Sequence, residues 1–235
     1  MNLRPYRFSV IEMIIVLVLA LSMIGLSFTA FDKLGEGNLV SASSQSVGSA
    51  LVQARQFAVA KKTYTAVVMP ADEISVMPNE LKFGAYRVCK VTKIGSRYEF
   101  DSWAPRSTWM YARKGTSIME VDNDVGIRDG VNLENIPNDN STSDSDVVYD
   151  VDLSSLFDGG SVKETSGLRA IIFKKNGRVA STANFVTVGT ANYNAGTWLI
   201  DNPVTTSLTN STANQVTIEL NIFTGAIRYL NIENY

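Results

Sequence analysis

From Phe8 to Phe31 the chain reads FSVIEMIIVLVLALSMIGLSFTAF, an apolar run behind a short leader with Arg4 and Arg7, and it holds one carboxylate, Glu12. At about 1.5 Å rise per residue such a helix is roughly 36 Å long, against about 30 Å of hydrocarbon in a bilayer, so the run predicts a membrane span. Arg4, Arg7 and the amino terminus lie on its short side. By the positive-inside rule Met1 is then cytoplasmic and the long remainder lies outside the cytoplasm. The run exceeds the roughly 7–15 residues of a secretory signal core, and only Ser22, Gly25, Ser27 and Ala30 offer small-residue cleavage points. An ionised carboxylate in a lone span costs on the order of 2–3 kcal/mol unless it is neutralised. Glu12 therefore needs a headgroup, a neighbouring subunit, a terminus made by processing, or interfacial water.

The chain has 235 residues, 45% of them hydrophobic, enough for one anchored domain with a sizeable core. Cys89 is the only cysteine, so no disulfide can form within the chain and the head must be held by its core. There is no histidine. That removes Ser-His-Asp and Cys-His catalysis, and histidine as a metal ligand. With no nucleophile motif and no phosphate-binding glycine loop, an enzyme is not expected.

Residues 32–38, DKLGEGN, interrupt the apolar run, and Gly35 and Gly37 each cost about 1 kcal/mol of helix stability relative to Ala, so the stretch reads equally as a bend or melted turn and as an ordinary headgroup-level exit from the membrane. From Leu39 to Lys62 the pattern turns amphipathic. Val40, Val47, Leu51, Ala54 and Ala58 recur at mostly three- and four-residue spacing, widened by Ala50 and Phe57, while Ser41, Ser43, Ser44, Gln45, Gln53 and Arg55 should face away. Beyond residue 63 the period shortens to two. Strands are predicted at Tyr64–Met69, Tyr86–Val91, Tyr98–Trp103, Leu168–Lys174, Phe185–Val188, Val216–Ile222 and Ala226–Ile232, with turns at Asn176-Gly177 and Thr224-Gly225. Between residues 120 and 164 acids crowd together against only Arg128 and Lys163, which predicts a solvated acidic loop insertion. Val148, Val151, Leu153, Leu156 and Phe157 suggest that its later part docks again, as a short strand or a turn of helix.

Phe8-Ser9-Val10-Ile11-Glu12-Met13, after a leader with Arg4 and Arg7, resembles the N-terminal signature of type IV prepilins and type II secretion pseudopilins. Ala50–Met69, Ala170–Arg178 and Thr217–Arg228 resemble the helix end, first strand and two glycine-turn strand pairs of the H-type minor pseudopilins and their FimT-like relatives. The resemblance covers the first 70 residues well and the rest in patches. It implies an α+β, pilin-like fold: a leader over 1–7, a transmembrane half of the helix over 8–31, an amphipathic half over 32–62, and a mostly antiparallel β-sheet head over 63–235. It implies cleavage by a prepilin peptidase between Arg7 and Phe8, N-methylation of Phe8, and a registry role for Glu12 against the amino terminus of the next subunit. The family carries Gly or Ala before the cut, where this chain has Arg7. The expected function is that of a structural subunit of a type II secretion pseudopilus or type IV pilus-like filament in the bacterial inner membrane. Its partners would be other pilin or pseudopilin subunits, the peptidase, an inner-membrane assembly platform and membrane lipid.

Two alternatives have residues of their own: a DNA-uptake minor pilin and a membrane-anchored β domain that does not polymerise. Lys174, Lys175, Arg178 and Arg228 form the local basic group a DNA-binding head would need, but Gly225-Ala226-Ile227-Arg228 lacks the first Arg of the Gly-Arg-x-Arg ending in DNA-binding relatives, and the acidic insertion opposes a polyanion. Nucleic acid is not expected as a partner. Asp122-Asn123-Asp124 and Asp139 to Asp146 could offer oxygens to calcium, yet they fit no complete loop template, so no metal and no cofactor is expected. Trp103, Trp109 and Trp198 are expected to fill core rather than line a carbohydrate surface.

Overall fold

The computed structural model describes residues 10–70, 82–122, 144, 146–156, 162–194, 197–200 and 215–231, with the backbone alone at 12, 24–37, 120, 122, 190–194, 197–200 and 231. The chain divides into two compact units, Met1–Asn38 and Leu39–Tyr235. One helix, α1 (Val10–Lys61), supplies most of the first unit and opens the second. Its backbone stays helical through residues 32–38, so the glycines there do not melt a turn. It stops at Lys62, whose φ of 54° is left-handed, with the Thr63 amide donating back to the Ala58 carbonyl at 3.2 Å. That is the six-to-one bond of a Schellman ending, made here without the usual glycine.

The expected fold class, a helix with a transmembrane half packed on one antiparallel sheet, is corrected on two counts. Among the described residues no helix is long and apolar enough to cross a membrane. The second count is the head, which holds a closed barrel beside a separate sheet.

The barrel strands are β1 (Tyr64–Val68), β2 (Ala85–Ile94), β3 (Arg97–Trp103), β6 (Val147–Tyr149) and β9 (Leu168–Phe173). Around the ring β1 pairs with β9, β9 with β6, β6 with β3, β3 with β2, and β2 with β1. Four of these pairings are antiparallel, while β3 and β6 run parallel. The short β4 (Met110–Tyr111) extends the wall from β2. The second sheet centres on β10 (Phe185–Asn194), flanked by β5 (Thr116–Asp122) and β12 (Gln215–Leu220), with β13 (Ile227–Asn231) beyond β12 and β11 (Thr197–Ile200) on the far half of β10. A two-stranded ladder of β7 (Val151–Asp152) and β8 (Lys163–Glu164) and a 3₁₀ turn at Ser154–Leu156 complete the described elements. The later part of the acidic stretch does dock again, through β6, β7 and this turn; Phe157 lies outside the described residues.

The barrel follows from strands that are apolar on both faces. All six residues of β9, LRAIIF, are buried, and β1 is buried from Thr65 onward. Alternation sends Ala66, Val68, Leu168, Ala170 and Ile172 into the barrel with Cys89, Val91, Tyr98 and Val148. It sends Val67, Ile171 and Phe173 outward into a second core with Val40, Val47, Leu51, Ala54 and Ala58 of α1 and Ile118, Val186, Ile218 and Leu220 of the other sheet. A strand with one polar face would need only one core; these need two. Ser43, expected to face away, is instead buried, its hydroxyl 2.7 Å from that of Thr116 and accepting the Arg113 amide at 3.0 Å.

Candidate functional site

Eleven large apolar side chains between Val10 and Met23 are each more than half exposed, from 53% at Ile15 to 75% at Val10. They occupy every side of the helix, so no single groove could cover them all. Their exposed area is on the order of 1,000 Å², well above the largest apolar patches of ordinary monomers, and removing it from water would release on the order of 25 kcal/mol. The one hydroxyl described among them, Ser22, donates to the Val18 carbonyl at 2.8 Å and so stays satisfied without water. This stretch is built to be surrounded by apolar material.

The backbone of Glu12 is helical, within α1. Ser9 and Glu12 stand in the sequence at the spacing of a capping box. Arg7 and Phe8, the expected cleavage and methylation positions, lie outside the described residues, as does the Glu12 side chain.

In the second unit the structure gathers a cationic cluster whose centre the sequence reading had placed elsewhere. Arg55, on α1, lies beside two left-handed glycine turns, Gly177 with φ 81° and Gly225 with φ 66°. A Cβ on Gly225 would stand 3.0 Å from Arg55 Cδ, and one on Gly177 would stand 3.4 Å from Arg55 Nε. The Nε is buried and has no hydrogen-bond acceptor. Lys174, Lys175 and Arg178 are exposed around the first turn, and Lys175 Nζ lies 5.7 Å from the centre of the Tyr64 ring, just past Lys61 and Lys62. Arg228 lies opposite Glu219 across the β12–β13 ladder. A sequence pattern that places Arg55 on the polar side of α1 carries no sign that two distant turns meet there.

Of the calcium candidates, Asp122, Asp144 and Asp146 lie among the described residues. Asp122 ends β5, Asn123, Asp124 and Asp139 lie outside the described residues, and the Asp144 carboxylate accepts the Tyr149 hydroxyl at 2.7 Å. Asp146 is buried and accepts the amides of Thr182 at 2.6 Å and Ala183 at 2.9 Å, with the Thr182 hydroxyl on its other oxygen. Its oxygens thus serve a chain connection. The Ser154 hydroxyl and amide hold the Asp152 carboxyl below the usual carboxylate range. Among the described residues no three acids or cysteines gather as metal ligands.

Trp103 and Trp109 pack against the barrel core, edge to face at 5.3 Å. Arg87 lies 4.0 Å over the Trp103 ring and donates to the Ser107 carbonyl at 2.7 Å and the Ser155 hydroxyl at 3.0 Å, and its burial pulls its pKa down. With its face covered by Arg87, Trp103 is packing. The side chain of Trp198 lies outside the described residues. Cys89 is fully buried in the barrel, and desolvation pushes its thiol far above the usual range, so it is not a nucleophile. No protein-family model, no curated protein and no solved structure matches this chain.

Proposed function

We propose that the chain is a structural subunit of a type II secretion pseudopilus or a type IV pilus-like filament, polymerising through the N-terminal part of α1. The observation that carries this reading is the apolar stretch Val10–Met23, exposed on all sides. A bundle of like helices covers such a surface completely, and lipid covers it before assembly. In this reading the N-terminal stretch is held at the bacterial inner membrane. A prepilin peptidase cuts after Arg7, Phe8 is methylated, and the new amine meets Glu12 of the adjacent copy. A cation within a few ångströms in low dielectric offsets the cost of burying the carboxylate, and the pairing sets register more than it adds stability.

Glu12→Ala and Glu12→Gln test this together. Gln keeps the capping-box spacing but not the charge. Both variants are expected to stay membrane-associated and to fall at least about tenfold in filament incorporation, measured by shearing and immunoblot, the loss expected if a charge pair worth about 1.4 kcal/mol or more is removed. Normal incorporation of the Gln variant would reduce Glu12 to a helix cap and sink the registry mechanism.

A further inference from the structure

Two turns lie against each other beside the end of α1. One runs from Lys174 to Arg178 and the other from Asn221 to Ala226, and the Val179 amide donates to the Ile222 carbonyl at 3.3 Å. The helix completes the group, since a Cβ on Gly177 would stand 2.9 Å from Val59 Cγ2. Apolar side chains here face water: Phe223 is 68% exposed, Ile222 45% and Val59 39%. Lys61, Lys62, Lys174, Lys175 and Arg178 are exposed in the same segments, and none is ion-paired among the described residues, where the ion pair is Lys90 with Asp101. Residues 50–64, 170–180 and 221–231, which meet here, contain no Asp or Glu.

The second turn is also closed on itself. The amides of Phe223 and Thr224 both donate to the Asn221 side-chain oxygen at 3.0 Å, and that of Ala226 donates to the Thr224 hydroxyl at 3.2 Å. The Gly225 amide donates to the Asn221 carbonyl at 2.6 Å, and the Asn221 amide to the Ala226 carbonyl at 2.8 Å. A turn whose backbone donors are already satisfied can leave water at little cost, as entry into a bilayer requires.

We infer that this face of the second unit docks on an anionic bilayer, with Phe223 and Ile222 entering the headgroup region and the cations taking the lipid phosphates. An apolar tip beside lysine and arginine, with no acid among them, is complementary to such a surface. A protein partner fits less well. The apolar side chains sit on an exposed turn rather than in a groove, and the area they leave in water is on the order of 300 Å², well below the roughly 800 Å² per partner of a stable interface. A single-stranded nucleic acid would stack on the Phe223 ring but has no use for Ile222 and Val59. The inference concerns the second unit alone and holds whether or not the chain polymerises.

The test uses the full chain reconstituted into phosphatidylcholine nanodiscs, so that the apolar stretch Val10–Met23 is already covered. Discs are mixed with vesicles and floated on a density gradient. Vesicles containing phosphatidylglycerol should carry up about tenfold more discs than pure phosphatidylcholine vesicles, and Lys174→Ala with Lys175→Ala should remove most of that excess. Phe223→Ser should lower it about fivefold, with unchanged tryptophan fluorescence showing that the head stays folded. In a second readout Phe223→Cys carries an environment-sensitive fluorophore, Cys89 being fully buried, and its emission should shift to the blue with anionic vesicles alone. Equal flotation with both kinds of vesicle, or an unshifted emission, overturns the inference. So does DNA retardation of the discs that Lys174→Ala with Lys175→Ala abolishes, or clustering of discs without vesicles that Phe223→Ser abolishes, because each gives the patch another occupant.

Discussion

Gly225 and Gly95 have nearly the same backbone, φ 66° and 64°, and very different surroundings. A Cβ at Gly95 meets nothing within 4 Å, while one at Gly225 collides with the Gly177 carbonyl oxygen and crowds Arg55. Gly95→Ala should therefore cost only the left-handed penalty of about 1–2 kcal/mol. Gly225→Ala should cost about 3 kcal/mol or more, because two turns must separate. Urea unfolding of the two variants side by side checks the difference; equal costs would mean that the turns do not meet. Cys89 gives a second residue-scale expectation. Its folded pKa is raised by burial, so the stability it contributes is complete below the unfolded thiol pKa and declines as pH rises past it. Between pH 7.5 and 9.5 the loss should be about 1.4 kcal/mol, taking about 8.5 for the unfolded thiol, and Cys89→Ala should flatten it. Tyr86 and Tyr98, also raised by desolvation, add a loss of the same sign only above about pH 10.

At the scale of elements, one buried carboxylate does what a disulfide does in chains with more cysteine. Asp146, just before β6, fastens the connection between β9 and β10 by accepting two amides and a hydroxyl. Asp146→Ala would leave those donors without their acceptor and should cost about 2–4 kcal/mol, and Asp146→Asn should recover part of it. Chemical unfolding measures the cost, and hydrogen exchange at residues 182 and 183 localises it; unchanged protection there would refute the fastening. Ser43 works similarly for α1, tying the helix to Arg113 and Thr116 at the start of β5. In sequence both residues read as exposed polar positions. Their partners lie 36 to 37 residues away for Asp146 and 70 to 73 for Ser43, beyond any local pattern.

The exposed apolar stretch lies in one unit and the hydrophobic cores lie in the other, which is why the two ends call for different experiments. If the proposed function holds, mass spectrometry of the chain from its native cells finds residues 1–7 missing and a single methyl on Phe8. An intact leader would leave Glu12 without the amine it is proposed to meet. The apolar stretch, the amphipathic stripe of α1 and most strands were legible because each is a local repeat of 3.6 or 2 residues. Val40, Val47, Ala50, Leu51, Ala54 and Ala58 of the stripe are buried as the periodicity requires, and Phe57 is half-buried. The closure of the barrel was not legible. It turns on β6, three residues inside an acidic stretch, running parallel to β3 and completing the ring through β9. Composition there favours solvent, and only the two walls already in place make burial of Val148 pay. Nor could the sequence bring Arg55 between Gly177 and Gly225, since that needs α1 and both turns docked on one core. The sequence by itself determined which segments must hide from water and with what period; the tertiary structure alone decided what each hides against, because pairing and charge clustering depend on residues distant along the chain and near only in space.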